Sequence, residues 1–259
     1  AHDDVTVMDY TSLYPTSIMS FNLSPETFIA SEKGCKQIGI DIEEVVQQLK
    51  DDNINYIDTG HDESLFGDRY LFYAQDYKLG LLPYVLKKLF LKRVEINRAL
   101  KAGEYKGDEV VAMEKRQWAY KIILNSAYGA MGFSQFRLYK PEVADAITFF
   151  ARQALKFAVL KFNEYGHKTL YGDTDSIFVK SMGKTAEQME KQLEIYNESL
   201  KEDLVKKYNT GLQDEYMMMD LKFEYDMEKI YFGDSKKRYY GIIRDTGKKY
   251  IRGMNIIRK

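Results

Sequence analysis

Apolar and polar residues alternate near the start of the chain. Val5 and Val7 interleave with Thr6 and Met8, the period of a short strand running into Asp9. The turn around Tyr14-Pro15 precedes a short helix to about Phe21. Residues 24–80 are irregular, apart from a predicted helix at 41–50 and a strand at 69–74. From Leu82 the spacing turns helical: Leu82, Leu86, Leu89, Ile96 and Leu100 share one line, and Arg93 stands on it. After the break from Ala102-Gly103 to Gly107, a second helix covers about 109–128, antiparallel to the first. Pro141 can start a third helix with Phe149, Phe150, Leu155, Val159 and Phe162 on its buried side. Gly166 is placed to end it in the left-handed conformation.

A hairpin follows, with strands Thr169-Leu170-Tyr171 and Ile177-Phe178-Val179 around a turn from Gly172 to Asp175. Thr185 and Gln188 form a capping box for a long amphipathic helix to about Tyr208. The remainder reads as a meander of strands near 216–224, 228–232, 237–243 and 249–251, with Asp245-Thr246-Gly247 as a tight turn. The order predicts the α+β class: an antiparallel sheet packed on helices, with a two-helix hairpin inserted.

Composition narrows the function. At 259 residues and 45% hydrophobic, the chain can bury a core. One cysteine, Cys35, excludes a disulfide framework and a cysteine-rich zinc site. The three histidines (His2, His61, His167) are far apart, which argues against a histidine metal centre. No apolar run reaches the ~18 residues of a membrane span. The net charge is only −1, but it is segregated. Residues 41–76 hold ten acids and two bases, residues 78–101 seven bases and one acid, and residues 236–259 nine bases and one acid. Two basic blocks on a nearly neutral chain suggest a polyanion partner; solvated faces are the plainer alternative.

Candidate chemistry centres on carboxylates. Asp173 and Asp175 lie two apart at a strand junction and could share one cation, although Gly-Asp-Thr-Asp is also an ordinary turn sequence. Asp9 ends a strand with apolar neighbours, where an acid is costly unless paired or metal-bound. If that strand lies beside the hairpin, three carboxylates converge. Such a set, without histidine, selects a hard cation such as Mg²⁺ that meets substrate phosphates. Lys121, Asn125 and Tyr128 fall on one helix face, extended by Gln117. Arg93, on an apolar line, either snorkels or points into a cleft where its planar fork can hold a triphosphate. Tyr14 is either core or a platform under a nucleotide sugar.

These residues carry a resemblance. The stretch Asp9-Tyr10-Thr11-Ser12-Leu13-Tyr14-Pro15, with Asn22 downstream, resembles motif A of the family B (polymerase-α-like) DNA polymerases. Lys121 to Gly129 resembles motif B, and Tyr171-Gly172-Asp173-Thr174-Asp175-Ser176 resembles motif C. Lys236-Lys237-Arg238-Tyr239 resembles the primer-binding KKRY motif, and Arg252 to Arg258 the segment after it. All five occur in the family's order across nearly the whole chain.

The resemblance implies roles. Asp9 and Asp175 would ligate two Mg²⁺ ions (Mn²⁺ substituting), helped by the Tyr10 carbonyl, with Asp173 beside them as a third catalytic acid. The Ser12, Leu13 and Tyr14 amides would hold triphosphate oxygens, and Tyr14 would exclude a 2′-hydroxyl. Arg93, Lys121 and Asn125 would grip the dNTP triphosphate. Tyr128 and Gly129 would pack at the nascent base pair. Lys236, Lys237, Arg238 and Tyr239 would track primer–template DNA, and Glu224 matches an acid near the metals. The implied domains are a first palm segment (1–79), fingers (80–134) and a second palm segment (135–259).

The departures are specific. Thr16-Ser17 stands where Ser-Ile is usual, and only Thr16 is expected to keep a hydroxyl role. Asn97 stands where many members carry lysine, and Asn255 where glutamate is common. Exonuclease, N-terminal and thumb sequences are not apparent. The chain is therefore expected to be palm and fingers of a longer or split polymerase of viral, phage or archaeal type. It would act in the (host) cytoplasm, possess no membrane segment, and work with the missing domains or a partner chain and a sliding clamp. Two alternatives stand beside this: a catalytically silent nucleotide- and DNA-binding portion, and a reverse transcriptase. Tyr14 and the Lys121–Asn125 helix argue against the latter.

Overall fold

Strand β1 (His2–Tyr10) holds an interior place in a six-stranded antiparallel sheet, although it is the first element of the chain. The order is β5 (Lys168–Asp173), β6 (Ser176–Lys180), β1, β7 (Leu221–Phe232), β8 (Tyr239–Ile243), β9 (Lys249–Arg252). The computed structural model describes residues 1–60, 68–208 and 214–253, which contain seven α-helices, this sheet and a small three-stranded one. The α+β class is as the pattern predicts. The described part of the segment after KKRY ends at Gly253, so Asn255 lies outside it, as does His61.

The chain divides into two compact units. The first comprises residues 1–11, 152–201 and 220–259 and contains the six-stranded sheet. Apolar residues cover both faces of β1. Val5 and Val7 join Phe178, Met227, Ile230 and Tyr239 in a buried cluster. On the alternate positions, the Thr6 and Ser181 hydroxyls bond at 2.8 Å and the Tyr10 hydroxyl donates to the Ala154 carbonyl at 2.9 Å. Ala154 belongs to α6 (Pro141–Glu164), which ends in a Schellman motif: His167 N–H donates to Phe162 and Gly166 N–H to Asn163, with Gly166 at φ 85°. Helix α7 (Ala186–Tyr208) begins with the predicted capping box. Gln188 accepts from the Thr185 amide at 3.0 Å and donates its own amide to the Thr185 hydroxyl at 3.3 Å.

The second unit comprises residues 12–151 and 202–219. It holds α1 (Leu13–Ser20), α2 (Glu32–Gln37), α3 (Ile42–Asp51), α4 (Leu81–Ala102), α5 (Asp108–Met131) and a sheet ordered β2 (Phe28–Ser31), β4 (Tyr70–Tyr73), β3 (Tyr56–Asp58). Phe21 stacks on Phe150 at 3.7 Å between ring centroids, both fully buried. Each such ring contributes on the order of 2 kcal/mol through buried area. The acid-rich stretch closes around buried Arg69, which bonds Asp58 and Glu43. Helices α4 and α5 pack on one another as the expected pair.

Several expectations are corrected. The helix expected at 41–50 and the strand at 69–74 are present as α3 and β4, but the rest of 24–80 is not irregular, since β2, α2 and β3 also lie there. The strands expected at 216–224 and 228–232 are one strand, β7, and residues 214–216 form a 3₁₀ turn. The motif C turn is tighter than predicted, because β5 continues to Asp173 and leaves only Thr174-Asp175 between the strands. The buried line of α4 includes Pro83 and Phe90, whereas Leu82, Leu89 and Leu100 are half-buried. Leu155 and Val159 of α6 are likewise half-buried.

Candidate functional site

In the first unit, strand register assembles the carboxylates. Asp9 lies opposite Ser176 of β6 and Lys222 of β7, and the Tyr10 amide donates to the Asp175 carbonyl at 2.8 Å. Thr174 takes a left-handed φ of 51°, which folds the hairpin tip so that Asp175 follows Asp173 around the bend. A β-bulge completes the set. Val7 pairs with Tyr225 and Met8 with Phe223, so Glu224 is the extra residue in β7. A bulge re-aims a side chain, and Glu224 reaches the face that Val7 and Asp9 occupy. Asp9, Asp173, Asp175 and Glu224 thus line one cavity of about 480 Å³, together with Lys237 and Tyr239.

Charge within the cavity is partly balanced. Lys237 Nζ lies 2.9 Å from Asp173 and 3.1 Å from the Thr174 hydroxyl, and its amide donates to the Tyr171 hydroxyl at 3.0 Å. Burial, reinforced by the Asp173 charge, raises the Asp175 carboxyl above its ordinary range, with Lys237 opposing. Among the described residues no three His, Cys, Asp or Glu side chains are close enough to share one ion. The carboxylates share a cavity, with Asp173 held by a lysine. All four are hard oxygen donors, the set that suits Mg²⁺. The neighbouring Lys236 and Arg238 are exposed on the β7–β8 turn. Tyr239 is buried at 6% exposure, its ring against Phe178 and Tyr250, and is a core residue of the sheet.

Sequence reasoning missed what lies beneath Tyr10. Its hydroxyl also bonds that of Tyr196 on α7, and both groups are deeply buried, which raises their pKa values. The capping box predicts α7, but no local signal pairs two tyrosines 186 positions apart.

In the second unit, Ser12 is left-handed (φ 52°) and begins α1 without a side-chain cap. Leu13 and Tyr14 occupy the first turn, whose amides the helix itself does not satisfy and which favours anions. The Thr16 hydroxyl bonds the Leu13 carbonyl at 3.0 Å; Ser17 does the same at 2.8 Å, so both hydroxyls have roles, not Thr16 alone. The Tyr14 ring lies 4.5 Å from that of Tyr128 on α5. Lys121, Asn125 and Gly129 are exposed on that helix, and Tyr128 is half-buried. Arg93 on α4 is half-buried, its Nε has no partner, and burial lowers the basicity of the guanidinium.

The comparisons decide the family. The model of DNA polymerase family B matches residues 2–259. The chain belongs to DNA polymerase family B. It is 26% identical to DNA polymerase 2 of Aeropyrum pernix over 99% of this chain and 26% of that protein. It is 28% identical to the DNA polymerase of Thermococcus sp. (strain 9oN-7), over 99% of this chain and 28% of the relative. Among solved structures it resembles the family B DNA polymerase of the hyperthermophilic archaeon Pyrobaculum calidifontis. That match has a TM-score of 0.59 and 28% identity, over 97% of this chain and 27% of the other. This family B segment therefore spans about a quarter of the length of the relatives it matches. No helix among the described residues is long and apolar enough to cross a membrane.

Proposed function

We propose that this chain carries the catalytic and nucleotide-binding core of a template-directed DNA polymerase. In the reaction, the primer 3′-oxygen attacks the α-phosphate of a dNTP, losing its proton. A new phosphodiester bond forms, the α–β bridge breaks, and pyrophosphate leaves. The carrying observation is the cavity shared by Asp9, Asp173, Asp175 and Glu224 in a chain that matches the family model end to end.

Asp9 and Asp175, with the Tyr10 carbonyl, would hold Mg²⁺ (or Mn²⁺); two such ions supply activation of the hydroxyl and charge neutralisation on the leaving group. Lys237 keeps Asp173 neutralised beside them. The six-stranded sheet takes the palm role and the α4–α5 pair the fingers role. The first turn of α1 would receive triphosphate oxygens at the Ser12, Leu13 and Tyr14 amides. Arg93, Lys121 and Asn125 would supply cationic and amide contacts to the same triphosphate. Tyr14, against Tyr128, would reject a 2′-hydroxyl, so Tyr14→Ala is expected to keep activity but admit ribonucleotides; unchanged sugar selectivity would remove that role. Lys236 and Arg238 would meet DNA phosphates.

The deciding experiment is incorporation of one matched dNTP onto primed DNA, with and without Mg²⁺, alongside Asp175→Asn. Extension requiring both Mg²⁺ and Asp175 supports the proposal. The short span relative to the relatives favours one second reading: a nucleotide- and DNA-binding portion that depends on exonuclease, thumb or partner chains. DNA binding without extension would favour it.

A further inference from the structure

Asn22 follows motif A in the sequence, yet the chemistry above gives it no task. It is fully buried, at a left-handed φ of 53°. Its side-chain amide donates to the carbonyls of Tyr73 and Lys78, each at 2.8 Å, and its Oδ1 accepts from the Gly80 amide at 2.8 Å. Beside it, the Glu26 carboxylate accepts from the Leu81 amide and, at 2.6 Å, from the Ser24 hydroxyl. Lys78 Nζ donates to the Glu26 carbonyl at 2.7 Å. Gly80 and Leu81 are the N-cap and first residue of α4. Their amides are among those a helix cannot satisfy internally. Gly80 sits so close that a Cβ there would come within 2.8 Å of Ser24 Cβ. Residues 22–26 thus form a socket for the start of α4.

The socket joins two nucleotide-facing elements. The segment containing it leaves α1, whose first turn carries Leu13 and Tyr14. The helix seated in it carries Arg93, about 18 Å along the axis from Leu81. Arg93 is held half-buried with an unpartnered Nε, which a loosely anchored helix would turn to solvent. Resting on the nucleotide reading above, we propose that Asn22 and Glu26 are positioning residues for dNTP binding. By seating the first turn of α4 on the segment after α1, they hold Arg93 where one triphosphate can meet both helices.

Glu26 is exposed, so its variants are expected to fold. Trp118, the chain's single tryptophan, stands exposed on α5 three residues before Lys121 and serves as an energy donor to mant-dATP. Titrating the 259-residue chain with mant-dATP, Glu26→Ala should bind about fivefold more weakly, the factor that losing a helix cap corresponds to. Glu26→Gln, which keeps one acceptor oxygen for the Leu81 amide and can donate its amide to the Ser24 hydroxyl, should restore most of the affinity. A lowered melting temperature for Glu26→Ala with unchanged mant-dATP affinity would make the socket merely structural and overturn the proposal, as would failure of Glu26→Gln to recover binding. Arg93→Ala is the control. If it binds like wild type, or wild type shows no transfer, the nucleotide reading itself fails and the positioning role falls with it.

Discussion

The carboxylate cavity of the first unit and the polar face of α5 in the second are built by opposite means. Asp9 and Asp175 stand 166 positions apart and meet through strand pairing, while Glu224 joins them through a bulge. Lys121, Asn125 and Tyr128 lie within eight residues of one helix and need only its 3.6-residue period. The energetics differ as well. The α5 cation and amide are exposed and cost the fold little, whereas Asp175 is held where burial opposes its charge. Local geometry thus supplies contacts that can be exchanged cheaply. Non-local geometry supplies a site that the fold must sustain.

Mutations on the two sides should therefore separate. Asp9→Asn should reduce Mg²⁺-dependent incorporation by about three orders of magnitude or more. Lys121→Ala should raise the dNTP KM by about tenfold while changing stability by no more than ~0.5 kcal/mol in urea melts. Equal losses from the two would erase the contrast.

The support beneath the cavity can be measured separately. Tyr196→Phe removes one hydroxyl from the buried pair with Tyr10 and should cost about 1–2 kcal/mol in urea unfolding. The Tyr10→Phe/Tyr196→Phe double variant should cost less than the sum of the two single changes, because both break one bond. Strict additivity would show that the hydroxyls act independently.

The smallest effect has the most telling sign. Burial, with the Asp173 charge, raises the folded pKa of Asp175 above the unfolded value of about 3.9. Ionisation then disfavours the folded state, so stability falls as pH rises from about 4 through the folded pKa. In metal-free buffer Asp175→Asn should melt slightly above wild type at pH 7, and the two should converge below about pH 4. A lower melting point for Asp175→Asn at pH 7 would mean that the ionised carboxylate stabilises the fold.

Legibility followed the range of the interactions. The Thr185–Gln188 box and the Gly166 stop could be read because caps are local and stereochemically narrow. Of the three-stranded sheet only β4 could be read; β2 and β3 are four and three residues long and carry too few positions for a period. β7 reads as two strands because its alternation breaks, and the register shifts at Val7/Met8 and Met227/Lys229 mark those breaks. Tyr239, grouped with the basic KKRY residues, proved to be core: a tyrosine's surroundings are set by neighbours from three other strands.

The sequence by itself determined the α+β class, the long helices, the polar face of α5 and the order of motifs that marks the family. Each depends on spacing within one segment or on residue identity. Tertiary structure alone decided that Asp9, Asp173, Asp175 and Glu224 share one cavity, that Lys237 neutralises Asp173, and that Asn22 seats α4. Those contacts depend on register, a bulge and left-handed residues. A shift of one position in any strand would turn the same side chains to the opposite face.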